Sequence, residues 1–231
     1  MSYVVNAAIG QVGSTVVNHL LAQSIPVHVV IRSENRAELF RSCLVDVAIA
    51  DVTDTGALTK TFPGAQAVFA VNPPVYTDPD LQVSAINVSR ALASAIKITK
   101  VERFVILSSV GAVKSSKTGN ILTTHTMEEI LKTSPPQMVM VRVVSFVENW
   151  LSAVSAVKAG HSPGDGSMYQ KLDLKIPHIA ELEGREPVSL NDVSKVTSEA
   201  LGKPISAIVM TEEMIRELTE KLRWSKTTAN N

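Results

Sequence analysis

Residues Tyr3–Gly13, YVVNAAIGQVG, decide the fold. The apolar run Tyr3-Val4-Val5 ends in Asn6, passes through a turn of small residues and opens onto the amphipathic segment Ser14–Ala22. This is the pattern of strand, tight turn and helix. Gly10 and Gly13 stand where a parallel-sheet domain needs residues without a Cβ: one lets the backbone approach a pyrophosphate, the other lets the helix pack on its strand. Backbone N–H groups at the helix start would face the phosphates, and the helix dipole favours their negative charge. Two glycines alone fit an ordinary loop equally well, so the weight falls on what surrounds them.

Outward from that turn, Val16, Val17, Leu20 and Leu21 repeat at helical spacing, giving one apolar stripe. Val27–Ile31 is nearly continuous and β-branched, as in a strand buried on both faces, and it ends at Arg32. Asn35–Ser42 reads as a short helix. Val45–Ile49 is a third strand running into Asp51-Val52, and Thr53–Phe62 a helix capped by Thr53 or Asp54. Ala67–Val71 is a fourth strand, stopped by Asn72-Pro73-Pro74. Leu81–Thr99, apolar at 81, 85, 88, 92 and 96, is a long helix with Asn87 and Arg90 among its polar positions. Phe104–Leu107 is a fifth strand with Ser108-Ser109 at its carboxyl end, where open parallel sheets bind ligands. A helix Thr126–Thr133, begun by Thr123 or Thr124, precedes Pro135-Pro136 and a sixth strand, Met138–Val144. Strands and helices alternate, so the sheet is expected to be parallel.

Beyond it, Phe146–Lys158 reads as a helix and Ala159–Ser167 as a loop. Ile179–Leu182 is a short strand. Ser189-Leu190-Asn191-Asp192 caps a helix through Leu201, with Gly202 past its end. Ile205–Met210 reads as a last strand, Glu212–Leu222 as a last helix, and the polar stretch from Trp224 as a frayed end.

Composition narrows the function classes. The 231 residues, 45% hydrophobic, can bury a core, and 22 basic residues balance 22 acidic ones. No basic footprint for nucleic acid or an anionic membrane results. The single cysteine, Cys43, fits a reducing compartment and the role of a small buried hydrophobe. The first strand begins at once without a basic flank, and no apolar run is long enough to span a bilayer, so a cytoplasmic protein is expected. His28, His161 and His178 are not spaced as metal ligands, and no metal is expected.

With these residues laid out, the chain resembles the NmrA-like branch of the atypical short-chain dehydrogenases, which are NAD(P)H-binding Rossmann proteins. The family fingerprint TGATGxxG corresponds to Asn6-Ala7-Ala8-Ile9-Gly10-Gln11-Val12-Gly13, and Ile31-Arg32-Ser33 to its strand-ending arginine. Asp51-Val52 matches the acidic-hydrophobic pair beside the adenine. Leu107–Ala112 matches LSSVGA, Arg142–Asn149 (RVVSFVEN) matches RPxxFxEN near the substrate pocket, and Leu182–Leu201 matches the LxGPExxSxxDVAxxL segment of a C-terminal lobe. Three departures stand out. Ala7 replaces the first glycine, at a cost of about 1 kcal/mol if that position needs a positive φ. Val143 replaces a proline. The helix that the family carries before its LxG strand is missing, because Ile176–Ala180 runs straight into Glu181; this would leave apolar surface exposed or filled by a partner subunit.

The resemblance implies an α/β fold: a Rossmann-like, doubly wound parallel sheet, with a nucleotide-binding domain over 1–158 and a small, truncated C-terminal lobe over 159–231 packed on it. Arg32 offers a planar fork to a 2′-phosphate, which favours NADP(H) over NAD(H), although a surface arginine after a strand is the alternative. Gly10, Gln11, Val12, Gly13, Asp51, Val52, Val71, Asn72, Pro73 and Ser108 join it as cofactor-binding candidates. Short-chain dehydrogenases usually place a lysine four residues after a catalytic tyrosine, but Tyr3, Tyr76 and Tyr169 are followed at that distance by Ala7, Asp80 and Asp173. Ser109, or failing that Ser108, is the candidate for polarising an acceptor, against a serine that only bonds backbone; His125 is the candidate acid, against a partly exposed helix-start histidine; and Phe146 and Asn149 are candidates for lining the pocket. Two functions stay open. One is an NADPH-dependent oxidoreductase passing hydride to a small-molecule acceptor whose charge is delocalised. The other is a non-catalytic NADP(H) sensor reporting to a protein partner; a homodimer is compatible with either.

Overall fold

A computed structural model describes residues 2–40, 45–73, 78–134, 137–144, 146, 149, 179–182, 188–206, 211, 213, 214 and 217. The expectations for Cys43, for most of the helix over 146–158, for the loop over 159–167, for most of the strand over 205–210 and the helix over 212–222, and for the end from Trp224 lie outside them. So do Pro74, Tyr76, His161, Tyr169 and His178.

Seven parallel strands form one sheet. They are β1 (Ser2–Asn6), β2 (Val27–Ile31), β3 (Val45–Ile49), β4 (Ala65–Ala70), β5 (Arg103–Ser109), β6 (Gln137–Val143) and β7 (Ile179–Leu182), in the spatial order β3-β2-β1-β4-β5-β6-β7. The order reverses between β1 and β4, which makes their carboxyl ends the topological switch point where such sheets bind ligands. β7 pairs with β6 from Met140↔Ile179 to Val143↔Leu182, so the C-terminal part of the chain contributes a strand to the same sheet.

Helices cover both faces. α1 (Gln11–Ala22) lies over β1 and β2, where Val17 packs with Val5, Val27, Val29 and Ile31. On the opposite face, α2 (Thr55–Thr61), α3 (Leu81–Thr99) and α4 (Ile121–Leu131) enclose a larger core that includes Leu58, Phe62, Leu92, Ile96, Phe104, Ile106, Met127 and Leu131. The five apolar positions of α3 read from the sequence, Leu81, Ala85, Val88, Leu92 and Ile96, are all buried. Asp80 caps this helix, its carboxylate accepting from the Gln82 and Val83 amides at 2.8 and 3.2 Å. α5 (Leu190–Leu201) opens with the expected capping box between Ser189 and Asp192 and ends at Gly202 with φ +61°. The Asp192 carboxyl is held below its ordinary range by the Ser189 hydroxyl and amide.

Several boundaries differ from the sequence reading. The short helix read over Asn35–Ser42 is a 3-10 helix, Glu34–Phe40, and it lays Ala37 and Phe40 on the core. α1 starts at Gln11, three residues early, because Gly13 sits inside the helix. α4 starts at Ile121, not near Thr126, and follows Asn120, whose side chain makes no cap bond. Asp54 is the cap of α2, bonding the Ala57 amide at 3.0 Å. Ile205 and Ser206 are not in a strand. On the face of β6 away from α4, Val139 is 39% exposed. Among the described residues no helix is long and apolar enough to cross a membrane.

Candidate functional site

The turn after β1 brings the chain from strand to helix in four residues, Ala7–Gly10. Ala7 adopts φ +50°, and its carbonyl accepts the Gly10 amide at 2.9 Å. A Cβ on Gly13 would stand 2.2 Å from that carbonyl oxygen and 2.7 Å from its carbon, so only glycine lets α1 approach the turn this closely. Gly10 is exposed at the N-cap of α1, and no side chain caps the helix. The first-turn amides at Gln11, Val12 and Gly13 have no partner within an α-helix. A helix start that is uncapped, free of side-chain bulk and set at the β1/β4 switch point suits a pyrophosphate, so the residues present fit a dinucleotide.

Asn6 closes the floor of this crevice. Its side chain is 2% exposed; its amide donates to the Val71 carbonyl at 3.0 Å, and its oxygen accepts the Val71 N–H at 2.7 Å. The clasp joins β1 to the chain leaving β4, so Val71, Asn72 and Pro73 follow at the carboxyl ends of the two strands that flank the switch point.

Arg32 is exposed at the end of β2, and the Ala50 N–H bonds Ile31 beside it at 2.9 Å, bringing Asp51 and Val52 alongside. The Thr53 hydroxyl and amide bond the Asp51 carboxylate at 2.7 and 2.8 Å. These two bonds hold its carboxyl below the ordinary range, with a smaller contribution from the Arg32 charge. Asp51 is thus already satisfied as an anion, and its neighbour's guanidinium stays at the surface.

At the far side of the crevice, Ser108 and Ser109 end β5. Ser108 is 4% exposed and donates its hydroxyl to Glu128 Oε1 at 2.5 Å, so this expected cofactor contact is spent inside the core. Ser109 is half-buried and precedes the 3-10 turn Val110–Val113. His125, on α4, donates Nδ1–H to the Ala112 carbonyl of that turn at 2.7 Å. The carbonyl can only accept, so Nδ1 carries the proton; in the neutral ring Nε2 is bare, and it donates only as imidazolium. Ser109 and His125 are thereby brought to the same end of the sheet. Phe146 is half-buried and Asn149 exposed beyond β6, linked by the Asn149 N–H to the Phe146 carbonyl at 3.0 Å.

Sequence reasoning missed Asn6 as a structural clasp and Glu128 altogether. The signal for the second was present: Glu128 falls on the apolar stripe Met127–Leu131, and Arg142 interrupts the apolar run MVMVRVV. Opposite charges set in two apolar runs mark a buried pair. Arg142 Nε bonds Glu128 Oε1 at 2.9 Å and Nη2 bonds Oε2 at 2.5 Å, with both side chains about 5% exposed.

Comparison with known proteins agrees with this architecture. Over 116 residues the chain is 35% identical to cinnamoyl-CoA reductase 1 of Oryza sativa subsp. japonica, covering 47% of this chain and 34% of that protein. The chain therefore spans about a third of the length of this curated relative. A crystal structure of the Escherichia coli NADPH-dependent quinone oxidoreductase complexed with NADPH is similar at 19% identity and a TM-score of 0.77, covering 100% of this chain and 86% of the other. The Citrobacter sp. triphenylmethane reductase complexed with NADP(H) is similar at 18% identity and a TM-score of 0.74, covering 99% and 86%. At such identities the likeness to solved structures is one of fold. The family is shown by the match of residues 7–171, most of the chain, to the NAD(P)H-binding family model, and the chain belongs to that family.

Proposed function

We propose that the chain is an NADPH-dependent oxidoreductase whose acceptor is a small molecule with delocalised charge: a quinone, an azo or imine bond, or an activated alkene. The observation that carries this is the uncapped start of α1 at the β1/β4 switch point, with an exposed arginine on the neighbouring strand end. When bound, the nicotinamide would supply hydride. Gly10, Gln11, Val12 and Gly13 would hold the pyrophosphate. Arg32 would grip the 2′-phosphate with its planar fork, Asp51 and Val52 would flank the adenine, and Val71, Asn72 and Pro73 would wall the crevice. Ser109 polarises the acceptor, His125 exchanges its proton, and Phe146 and Asn149 line the pocket, in a nucleotide-binding part over 1–158 completed by the lobe over 159–231.

Two facts support this acceptor class. No tyrosine is followed by a lysine four residues on, so the usual strong proton donor to a carbonyl is missing, and a delocalised acceptor needs it least. The similar structures named above are a quinone reductase and a dye reductase, whose substrates are of that kind.

A second reading, a redox sensor that binds NADP(H) without turnover, is favoured by one observation: the Ser108 hydroxyl is buried against Glu128. Steady-state NADPH oxidation with a panel of quinones, azo dyes and enones separates the two. Turnover on at least one acceptor, lowered by Ser109→Ala, is expected; tight NADPH binding with no turnover on any would establish the sensor.

A further inference from the structure

We infer that Arg142 and Glu128 are positioning residues of this site. Their buried ion pair, closed by the Ser108 hydroxyl, fixes α4 on the carboxyl ends of β5 and β6 and so holds the His125 imidazole in its Nδ1–H form. The inference rests on the proton-exchanging role proposed for His125.

Stability does not account for the pair. Both side chains are almost wholly withdrawn from solvent, and the remaining guanidinium nitrogen, Nη1, is buried with no hydrogen-bond partner. Buried charges replaced together by apolar side chains of similar size usually leave a protein equally stable or more so. What a carboxylate gripped by a two-pronged guanidinium supplies, and an apolar contact does not, is a single geometry. Glu128 Oε1 takes Ser108 Oγ as well as Arg142 Nε, so three elements meet at one carboxylate.

That carboxylate lies three residues after His125 on the same rigid helix. A slip of α4 by one residue moves it about 1.5 Å along its axis and turns it by about 100°, which would break the 2.7 Å bond from His125 Nδ1 to Ala112. The other side of that bond is fixed by the same network, because Ser108 leads directly through Ser109 into the turn that carries Ala112. The network therefore ties together the two segments that the His125 bond spans. Thr126 also holds α4, through Gln82 on α3 at 2.9 Å, but that contact reaches neither β5 nor β6.

The test reads the imidazole itself, in the full chain with neither dinucleotide nor acceptor present. Long-range 15N–1H spectra, recorded well above the ordinary imidazole range and assigned with His125→Gln, should show one protonated and one bare nitrogen for His125 in the unsubstituted protein. The double variant Glu128→Leu with Arg142→Met removes both charges and is expected to melt cooperatively near the original temperature, with the two His125 nitrogen signals moving toward a common averaged position. Arg142→Lys keeps a charge without the fork and should move them in the same direction. Unchanged His125 signals in the folded variants, or a proton on Nε2 in the unsubstituted protein, would overturn the inference. Since no turnover is measured, a sensor without activity leaves this result standing, and an active reductase with unmoved signals defeats the positioning role alone.

Discussion

At the scale of single residues, the glycine turn is governed by two atoms that are hydrogen in one case and carbon in the other. Ala7 carries a methyl at φ +50°, where an L side chain crowds the backbone, and Gly13 leaves room that a methyl would fill with a 2.2 Å contact. The first is tolerable because its cost is only about 1 kcal/mol; the second has nowhere to go, since the obstacle is backbone. Ala7→Gly should therefore raise stability by about 0.5 kcal/mol once the greater freedom of glycine in the unfolded chain is subtracted, while Gly13→Ala should lower it by about 2 kcal/mol. Urea unfolding of the two variants checks both signs, and a stabilised Gly13→Ala would mean that α1 does not lie this close to the turn. The sequence predicts the Ala7 penalty conditionally, from the glycine that the family places there. The positive φ itself is a feature of the folded turn that the residues of this chain do not mark.

At the scale of elements, strands were legible from their apolar runs: β2, buried almost throughout, and β3, which is only half-buried, have the boundaries read from Val27–Ile31 and Val45–Ile49. Helix starts were less so, for a physical reason. A start can be read when a side chain caps it, as Asp54, Asp80 and Ser189 do. α1 and α4 begin without a side-chain bond and so carry no mark in the sequence. In α1 that silence suits the proposed phosphate site, since a capped start would occupy the amides a phosphate needs. The Asn6 clasp is an element-scale device too, joining two strands where their order reverses. Asn6→Leu should cost about 2 kcal/mol by leaving the Val71 N–H and carbonyl buried without partners. Equilibrium unfolding that gives the same midpoint for variant and parent would show that the clasp contributes nothing.

At the scale of the whole molecule, the described residues form a seven-stranded parallel sheet whose order reverses at β1/β4, and the candidate site elements lie at its carboxyl edge: the glycine turn, Arg32, Asp51-Val52, Asn72-Pro73 and Ser109, with His125 on α4. That layout was legible from the alternation of strands and helices. The Ser108–Glu128–Arg142 network was legible only in part: a charge in each of two apolar runs marks a buried pair, but that Ser108 joins the same carboxylate emerges only when β5, β6 and α4 are packed together. The central claim is that this crevice holds NADPH, with the start of α1 on the diphosphate and Arg32 on the adenosine phosphate. Isothermal titration of NADPH and NADH into the full chain and its Arg32→Ala variant tests it most directly. Tighter binding of NADPH than NADH by the unsubstituted chain is expected, with Arg32→Ala weakening NADPH about tenfold or more and NADH little, as for a lost charge-assisted contact of about 1.5–3 kcal/mol. No binding of either nucleotide, or equal losses for both in the variant, would contradict it.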